Sequence, residues 1–296
     1  MYEVPATDDL LNYHIRTLFD KPSFHNPKQY AKISLIKYKD ISMKTTLTFI
    51  GNGNMALSIA QGLKDDYTIE VVGRNMAKLD AFEEALGCSV KKSLLNACDI
   101  HGKTVMLCVK PYNVQEVGAQ MVGEAKVVYS VLAGTTLETL SSQIKTQAVV
   151  RAMPNLAATA KKSMTTLTGD AAYQKEAETL FGAIGPVRWL SSEKEIDIAT
   201  ALAGSGPAYL ALMAEALADG AVKQGLKRDD AMAIMRGLFG GFGELIQEVH
   251  PALLKDGVMS PGGTTAAGYG ALEDGNVRAA CIDAVQRAYK KAVELS

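Results

Sequence analysis

Gly51, Gly53 and Ala56 stand at the spacing Gly-x-Gly-x-x-Ala between a short apolar run, Leu47 to Ile50, and the helically spaced Met55, Ile59 and Leu63. Strand, glycine turn, helix is the order that binds the pyrophosphate of a dinucleotide. Gly51 would permit the tight turn, Gly53 would let the backbone come close to the phosphates, and Ala56 would let the helix lie against the strand. Asn52, Asn54 and Met55 fill the rest of the turn and the first helical positions, whose unpaired amides attract phosphate charge. The same glycines could serve as a turn and nothing more. About twenty residues on, where a carboxylate would hold the adenosine ribose, the sequence has Gly73-Arg74-Asn75. With no acid there to repel a 2′-phosphate, and with Arg74 and Lys78 able to neutralise one, NADPH is the expected cofactor and NADH the alternative. Arg74 as a solvated loop cation is the competing reading.

A second stretch, Ser260-Pro-Gly-Gly-Thr-Thr265, feeds another helical pattern. Flexible amides at Gly262 and Gly263, hydroxyls at Ser260, Thr264 and Thr265, and the positive end of a helix would together cradle a small carboxylate. An ordinary capped helix preceded by a Gly-Gly turn would read the same.

The elements that must position these residues alternate from Met43 onward: helix 54 to 64, strand 69 to 72, helix 76 to 86, strand 104 to 109, helix 112 to 122, strand 127 to 132, helix 136 to 144 and strand 148 to 152. Such alternation implies a parallel sheet covered on both faces, with the ligand crevice beyond the carboxyl ends of the strands. Three strand ends would line that crevice: Cys108-Val109-Lys110-Pro111, Ser130-Val131-Leu132-Ala133-Gly134 and Arg151-Ala152-Met153-Pro154-Asn155. Lys110 reads either as a cation or turn beside the cofactor or as a surface lysine before a helix-starting proline. Asn155 reads either as a hydrogen-bonding partner for a carboxamide or ribose or as plain turn chemistry. Two apolar runs, Met164 to Leu167 and Val187 to Leu190, extend the sheet as antiparallel edge strands.

The fold class is therefore α/β, an N-terminal Rossmann dinucleotide-binding domain over 43–190 followed by an all-helical domain over 191–296. After Ser191 the composition turns to Ala, Gly, Met and Leu at helical spacing, with Leu210, Met213, Leu217 and Ala221 on one stripe of a helix from Pro207 to Gln224. Gly237, Gly240, Gly241 and Gly243 in the next helix fit a tight crossing or a bend. A Met-rich stripe beside so small a domain points to core or to the interface of a homodimer. Residues 1 to 42, mixed in charge and rich in Tyr and Phe, read as an accessory arm, a partly ordered tail or the product of a mis-set translation start.

The chain is 48% hydrophobic with a net charge of −1, which gives no general attraction to nucleic acid or to an anionic membrane. Four cysteines and four histidines are too scattered for a metal cluster. No run approaches eighteen consecutive apolar residues and no charged-then-apolar leader opens the chain, so a cytoplasmic location is the default expectation.

Taken in order, Phe49-Ile-Gly-Asn-Gly-Asn-Met-Ala56, Val109-Lys-Pro111, Arg151-Ala-Met-Pro-Asn155, Gly204-Ser-Gly-Pro-Ala-Tyr209 and Ser260-Pro-Gly-Gly-Thr-Thr265 resemble pyrroline-5-carboxylate reductase over residues 45 to 292. The last motif is that family's hallmark. The resemblance implies reduction of 1-pyrroline-5-carboxylate to L-proline with NADPH or NADH, by hydride transfer to the ring imine carbon. It implies a Rossmann domain joined to a helical domain that interlocks two subunits, with dimers commonly assembled further into decamers. It also implies that Ser260, Gly262, Gly263, Thr264 and Thr265 hold the substrate carboxylate, that Thr265 lies near the ring nitrogen as the catalytic residue, and that Glu248 steadies the substrate loop or acts across the dimer. Glu248 as a helix-surface carboxylate is the alternative. The 42-residue extension has no counterpart in the family's pattern.

Two rivals remain on sequence alone. A β-hydroxyacid dehydrogenase would carry a catalytic lysine early in the first long helix of its second domain, whereas the helix from Pro207 has none before Lys223. A nucleotide-binding regulator that kept the fold without turnover would not need an intact Ser-Pro-Gly-Gly-Thr-Thr run, although fold alone never certifies chemistry.

Overall fold

β1 (Thr46–Ile50) leaves only its first residue exposed and buries the rest on both faces. Phe49 belongs to one apolar layer and Ile50 to the other. A strand buried on both faces needs helices on both faces, and the chain supplies them. The computed structural model describes residues 44–96 and 98–294; the readings offered for residues 1 to 42 lie outside these.

From β1 the chain runs through α1 (Asn54–Leu63), β2 (Thr68–Gly73), α2 (Met76–Leu86), β3 (Lys91–Leu94), β4 (Cys98–Asp99) and β5 (Thr104–Leu107). It continues through α3 (Val114–Ala119), β6 (Met121–Val122), β7 (Val127–Ser130), α4 (Leu137–Gln143) and β8 (Val149–Met153). The sheet closes with β9 (Thr165–Gly169), α5 (Gln174–Gly182) and β10 (Val187–Trp189). Strand order is β10-β9-β8-β7-β5-β1-β2-β3, and every neighbouring pair is parallel except β8 with β9. The expected antiparallel extension is present: β9 turns the direction and β10 follows it. Ile59 and Leu63 of α1, Leu79 and Phe82 of α2 and Phe181 of α5 cover one face. Val114 and Val117 of α3 and Leu140 of α4 cover the other.

Two local readings need correction. The expected helix over 112 to 122 is instead a 3-10 turn at Pro111–Asn113, the short α3 and the two-residue β6, which pairs with β4. The helix stops early because the apolar Met121 and Val122 find a strand partner, and a left-handed Gly123 follows them. The edge strand β3, Lys-Lys-Ser-Leu, went unread because lysines protect a sheet edge and hide its apolar alternation. Lys91 of β3 sits opposite Glu70 of β2 and pairs with it at 2.9 Å. Glu70 is buried, and Thr48 and Lys103 each donate to it at 2.8 Å. Burial alone would raise the carboxyl's pKa, but these donors outweigh it and hold it below the ordinary carboxylate value.

Beyond β10 the chain is helical: α6 (Glu193–Ala199), a π-helical turn at Thr200–Gly204, α7 (Gly206–Lys223), α8 (Arg228–Glu248), α9 (Pro251–Val258), α10 (Thr264–Asp274) and α11 (Val277–Glu294). α7 buries only Ala218 and α8 only Ala231. The glycines of α8 do not mark a crossing inside this chain, since a Cβ added at Gly237, Gly240, Gly241 or Gly243 would meet nothing within 4 Å. The unbroken helical run Glu193–Lys223 is long and apolar enough to cross a membrane by length and composition, with a mean hydropathy of 1.3 over its best window. Few of that window's residues are buried.

Candidate active site

The sheet order places a switch point between β1 and β5: β2 and β3 lie on one side and β7 and β8 on the other. A ligand crevice is expected at the carboxyl ends of the strands there, and a cleft of about 750 Å³ lies at that place. Gly51, Asn52, Gly53, Asn54 and Met55 form its floor, Arg74 and Lys78 one end, Val109, Lys110 and Pro111 one wall, and Val131, Leu132 and Ala133 another.

The two glycines of the turn are needed for different reasons. Gly51 has φ +108°, and a Cβ there would come within 2.7 Å of the Cys108 carbonyl oxygen, so both its conformation and its space demand glycine. Gly53 has φ −80° and nothing within 4 Å of a would-be Cβ. Its missing side chain leaves room on the cleft side, where a phosphate would approach. Gly53 starts α1 with no side-chain cap and no acid in the first turn, which leaves the helix's positive end open. Ala56 is fully buried beneath, against the sheet.

Arg74 and Lys78 face the same end of the cleft, and Asn52 donates to the Lys78 carbonyl at 3.1 Å, tying the glycine turn to α2. Arg74 lies 3.7 Å from Glu116 with both side chains largely exposed, an arrangement that costs little to break. Gly134, at φ +66°, turns the chain just behind Ala133 and does not itself line the cleft. Neither do Met153, Pro154 and Asn155. Asn155 is committed elsewhere: its Nδ2 donates to the Ala203 carbonyl at 3.0 Å and its Oδ1 accepts from the Ala157 amide at 3.0 Å. Leu156, next in sequence, does reach the cleft, as does Cys108. Cys108 opens a strand end expected to face the crevice, whereas Leu156 was not legible as a cleft residue because it hides behind an ordinary Pro-Asn turn. Burial pushes the Cys108 thiol well above its ordinary range, so it stays protonated.

The second stretch is built as expected locally. Gly262 is left-handed at φ +69°, the Gly263 amide donates to the Ser260 carbonyl at 3.0 Å, and a Cβ on Gly263 would strike the Ser260 hydroxyl at 2.4 Å. α10 therefore begins at Thr264 with no side-chain cap and no acid in its first turn. Ser260, Gly262, Thr264 and Thr265 are exposed. Glu248 ends α8 on the surface, just before the His250 imidazole that caps α9. Behind the cradle, Tyr269 is bonded to Glu273, Arg278 to both, and the Lys255 ammonium lies over the Tyr269 ring, which ties α9, α10 and α11 together. No residue of the cradle lines the nucleotide cleft within one chain.

Residues 193–295 match the family model described as pyrroline-5-carboxylate reductase dimerisation, and residues 46–134 match one described as NADP oxidoreductase, coenzyme F420-dependent. A pyrroline-5-carboxylate reductase from Synechocystis is 37% identical over 266 residues, 86% of this chain and 99% of the relative. One from Glycine max is 37% identical over 85% of this chain and 96% of the relative. The solved structure of a pyrroline-5-carboxylate reductase from Coxiella burnetii superposes with a TM-score of 0.72 at 34% identity, covering 86% of this chain and 99% of that one. With matches of this identity running almost the full length of its relatives, the chain belongs to the pyrroline-5-carboxylate reductase family.

Proposed function

We infer that the chain reduces 1-pyrroline-5-carboxylate to L-proline with a nicotinamide cofactor, the last step of proline synthesis. The observation that carries this reading is the pairing of two uncapped helix starts in a chain of this family, α1 behind Gly51–Ala56 and α10 behind Ser260–Thr265. One is shaped for a pyrophosphate and the other for a small carboxylate. The division of labour follows: 43–190 holds the nucleotide and 191–296 holds the substrate and the partner subunit.

The cleft residues fit a dinucleotide. Gly53 leaves open space for a phosphate, α1 offers free amides, and the strand ends at Val109–Pro111 and Val131–Ala133 flank the place a nicotinamide riboside would take. Arg74 and Lys78 favour NADPH over NADH, because a 2′-phosphate replaces Glu116 as the partner of an exposed guanidinium. When bound, the nicotinamide supplies the hydride that the imine carbon takes up.

The remaining work belongs to the chain. Ser260, Gly262, Gly263 and Thr264 hold the substrate carboxylate through amides and hydroxyls. Thr265 orients the ring nitrogen through its hydroxyl, and Glu248 steadies the loop from the end of α8. Neither cleft nor cradle contains a histidine, and the one cleft thiol is held neutral. The imine therefore takes its proton from solvent before it binds, and the protonated imine needs only positioning and exclusion of water.

Cleft and cradle do not meet within one chain, and the stripes of α7 and α8 lie open. Both facts are met by a homodimer through the helical half that sets each cradle over its partner's cleft; further assembly to a decamer is the finer reading. The same interface accounts for the apolar run Glu193–Lys223 without a membrane, and the balanced charge leaves no role for nucleic acid. We place the enzyme in the cytoplasm.

The test is loss of nicotinamide absorbance on mixing purified protein with racemic pyrroline-5-carboxylate, with NADPH and NADH arms and an imine-free blank. Imine-dependent oxidation that yields L-proline is the expected result. A folded protein that binds NADPH yet stays silent in both arms would overturn the assignment in favour of a non-catalytic nucleotide binder.

A further inference from the structure

Arg151 is the largest side chain shut inside the molecule, at 1% exposure. It lies on β8, in register with Ser130, the last residue of β7. From there it reaches out of the sheet into the helical half: one terminal nitrogen donates to Glu193 at 2.9 Å and the other to Asp197 at 2.7 Å, both on α6. Glu193 Oε1 is shared, because it also accepts the backbone amide of Leu137 at 2.8 Å. Leu137 is the first residue of α4, and the Thr136 side chain that caps this helix takes the Thr139 amide instead. One carboxylate oxygen, 56 residues downstream, thus closes the start of α4.

The chain between Ser130 and Leu137 is the wall of the nucleotide cleft, Val131, Leu132 and Ala133, followed by the left-handed turn at Gly134. That wall is fixed at one end by its pairing with Arg151's strand and at the other by Glu193. The node is also a poor device for stability alone. Burying a guanidinium is costly, and Arg151 Nε has no hydrogen-bond partner among the described residues. An apolar side chain of similar volume serves such a site as well or better when stability is all that is needed.

We propose that Arg151 and Glu193 are positioning residues: through the shared Glu193 oxygen they set the Val131–Gly134 wall against the bound nucleotide and lock it to the first helix of the helical half. This rests on the nucleotide-binding reading of the cleft. Asn155 makes a second tie of the same kind, from the end of β8 to the Ala203 carbonyl in the π-helical turn.

Glu193→Ala and Glu193→Gln separate positioning from bulk stability. Gln keeps the shared acceptor oxygen, while Ala removes it. NADPH affinity, read by quenching of intrinsic fluorescence, needs no turnover, so it stands apart from the test of the reaction itself. Melting temperature and sedimentation are measured alongside, and binding is read at a temperature well below unfolding. The expected result is a dissociation constant for NADPH about tenfold higher in Glu193→Ala, the size of one hydrogen bond lost from the node that sets the wall. Glu193→Gln should bind within about twofold of the unchanged protein. Glu193→Ala that melts lower but binds NADPH as the unchanged protein does would overturn the proposal and leave a structural brace. Equal weakening in Ala and Gln would overturn it too, because the shared oxygen would then not be what sets the wall.

Discussion

In the sheet half, Phe49, Val71, Tyr129 and Phe181 are shut from solvent and both faces are roofed by helices. In the helical half, Leu210 is 57% exposed, Leu238 58% and Leu253 65%. Large apolar side chains are buried within the chain in one region and left open in the other. The cleft at the ends of the sheet forms within a single chain, because its walls come from the sheet's own strand ends, braced by Glu193 of α6. The cradle has its own correct local geometry but no opposite wall. The difference teaches that the cleft of the sheet half is walled within one chain, whereas the cradle of the helical half stands open.

Substitutions in the two halves should therefore fail in different ways. Phe49→Ala opens a cavity in a closed core and should cost ~3–5 kcal/mol, seen in chemical denaturation. Leu238→Asp should leave the sheet half folded but convert the dimer to monomer in sedimentation and abolish turnover while NADPH still binds. If Leu238→Asp unfolds the sheet half as Phe49→Ala does, the two halves are not separable in this way.

Within the cleft, the two glycines sharpen the contrast between what the fold needs and what the ligand needs. Gly51→Ala meets both an unfavourable φ and the Cys108 carbonyl, and should destabilise by ~1–3 kcal/mol. Gly53→Ala should leave the melting temperature unchanged and weaken NADPH binding on the order of tenfold, an overpacking cost of ~1–3 kcal/mol. Equal loss of stability in both would remove Gly53 from the phosphate site.

Arg74→Ala should raise the dissociation constant for NADPH about tenfold or more while leaving NADH nearly unaffected, the size of a lost charge-assisted hydrogen bond of ~1.5–3 kcal/mol. Parallel weakening of both would show that Arg74 does not read the 2′-phosphate.

The smallest effect belongs to pH. Glu70's carboxyl is held below its ordinary value of 4.5 in the folded chain. Its stabilising contribution is therefore complete above that value and lost as pH falls through the lower folded one. Melting temperature should drop by a few degrees across that acid range, and Glu70→Gln should flatten this part of the profile.

How much of this was legible in the sequence follows the range of the interactions. Gly51, Gly53 and Ala56 announce themselves because a tight turn and a close helix are steric facts local to six residues. Ser260 to Thr265 do so for the same reason, down to the contact between Gly263 and the Ser260 hydroxyl. β3 was hidden because Lys91 and Lys92 serve the sheet edge and ion pairs rather than the core. Asn155 read either as a ligand contact or as turn chemistry; its Oδ1 serves the turn, and its amide joins β8 to Ala203 across 48 residues of sequence. Arg151 read only as part of a strand end and motif, and Glu193 and Asp197 gave no signal, since their partnership with it spans 42 and 46 residues. Nor does any local pattern reveal that cradle and cleft stand apart in one chain.

That separation is the claim most worth testing, and mixed dimers test it directly. Thr265→Ala damages only the cradle and should lower turnover ~100-fold, as loss of one positioned donor does, with NADPH binding retained. Gly53→Trp should close only the nucleotide cleft. Each homodimer should be nearly inactive. Co-expressed with different affinity tags and purified through both, the mixed dimer should recover substantial proline formation, because one of its two sites then pairs an intact cleft with the partner's intact cradle. A doubly tagged, folded mixed dimer as silent as its parents would contradict the account, because every site would then draw its cleft and its cradle from the same chain.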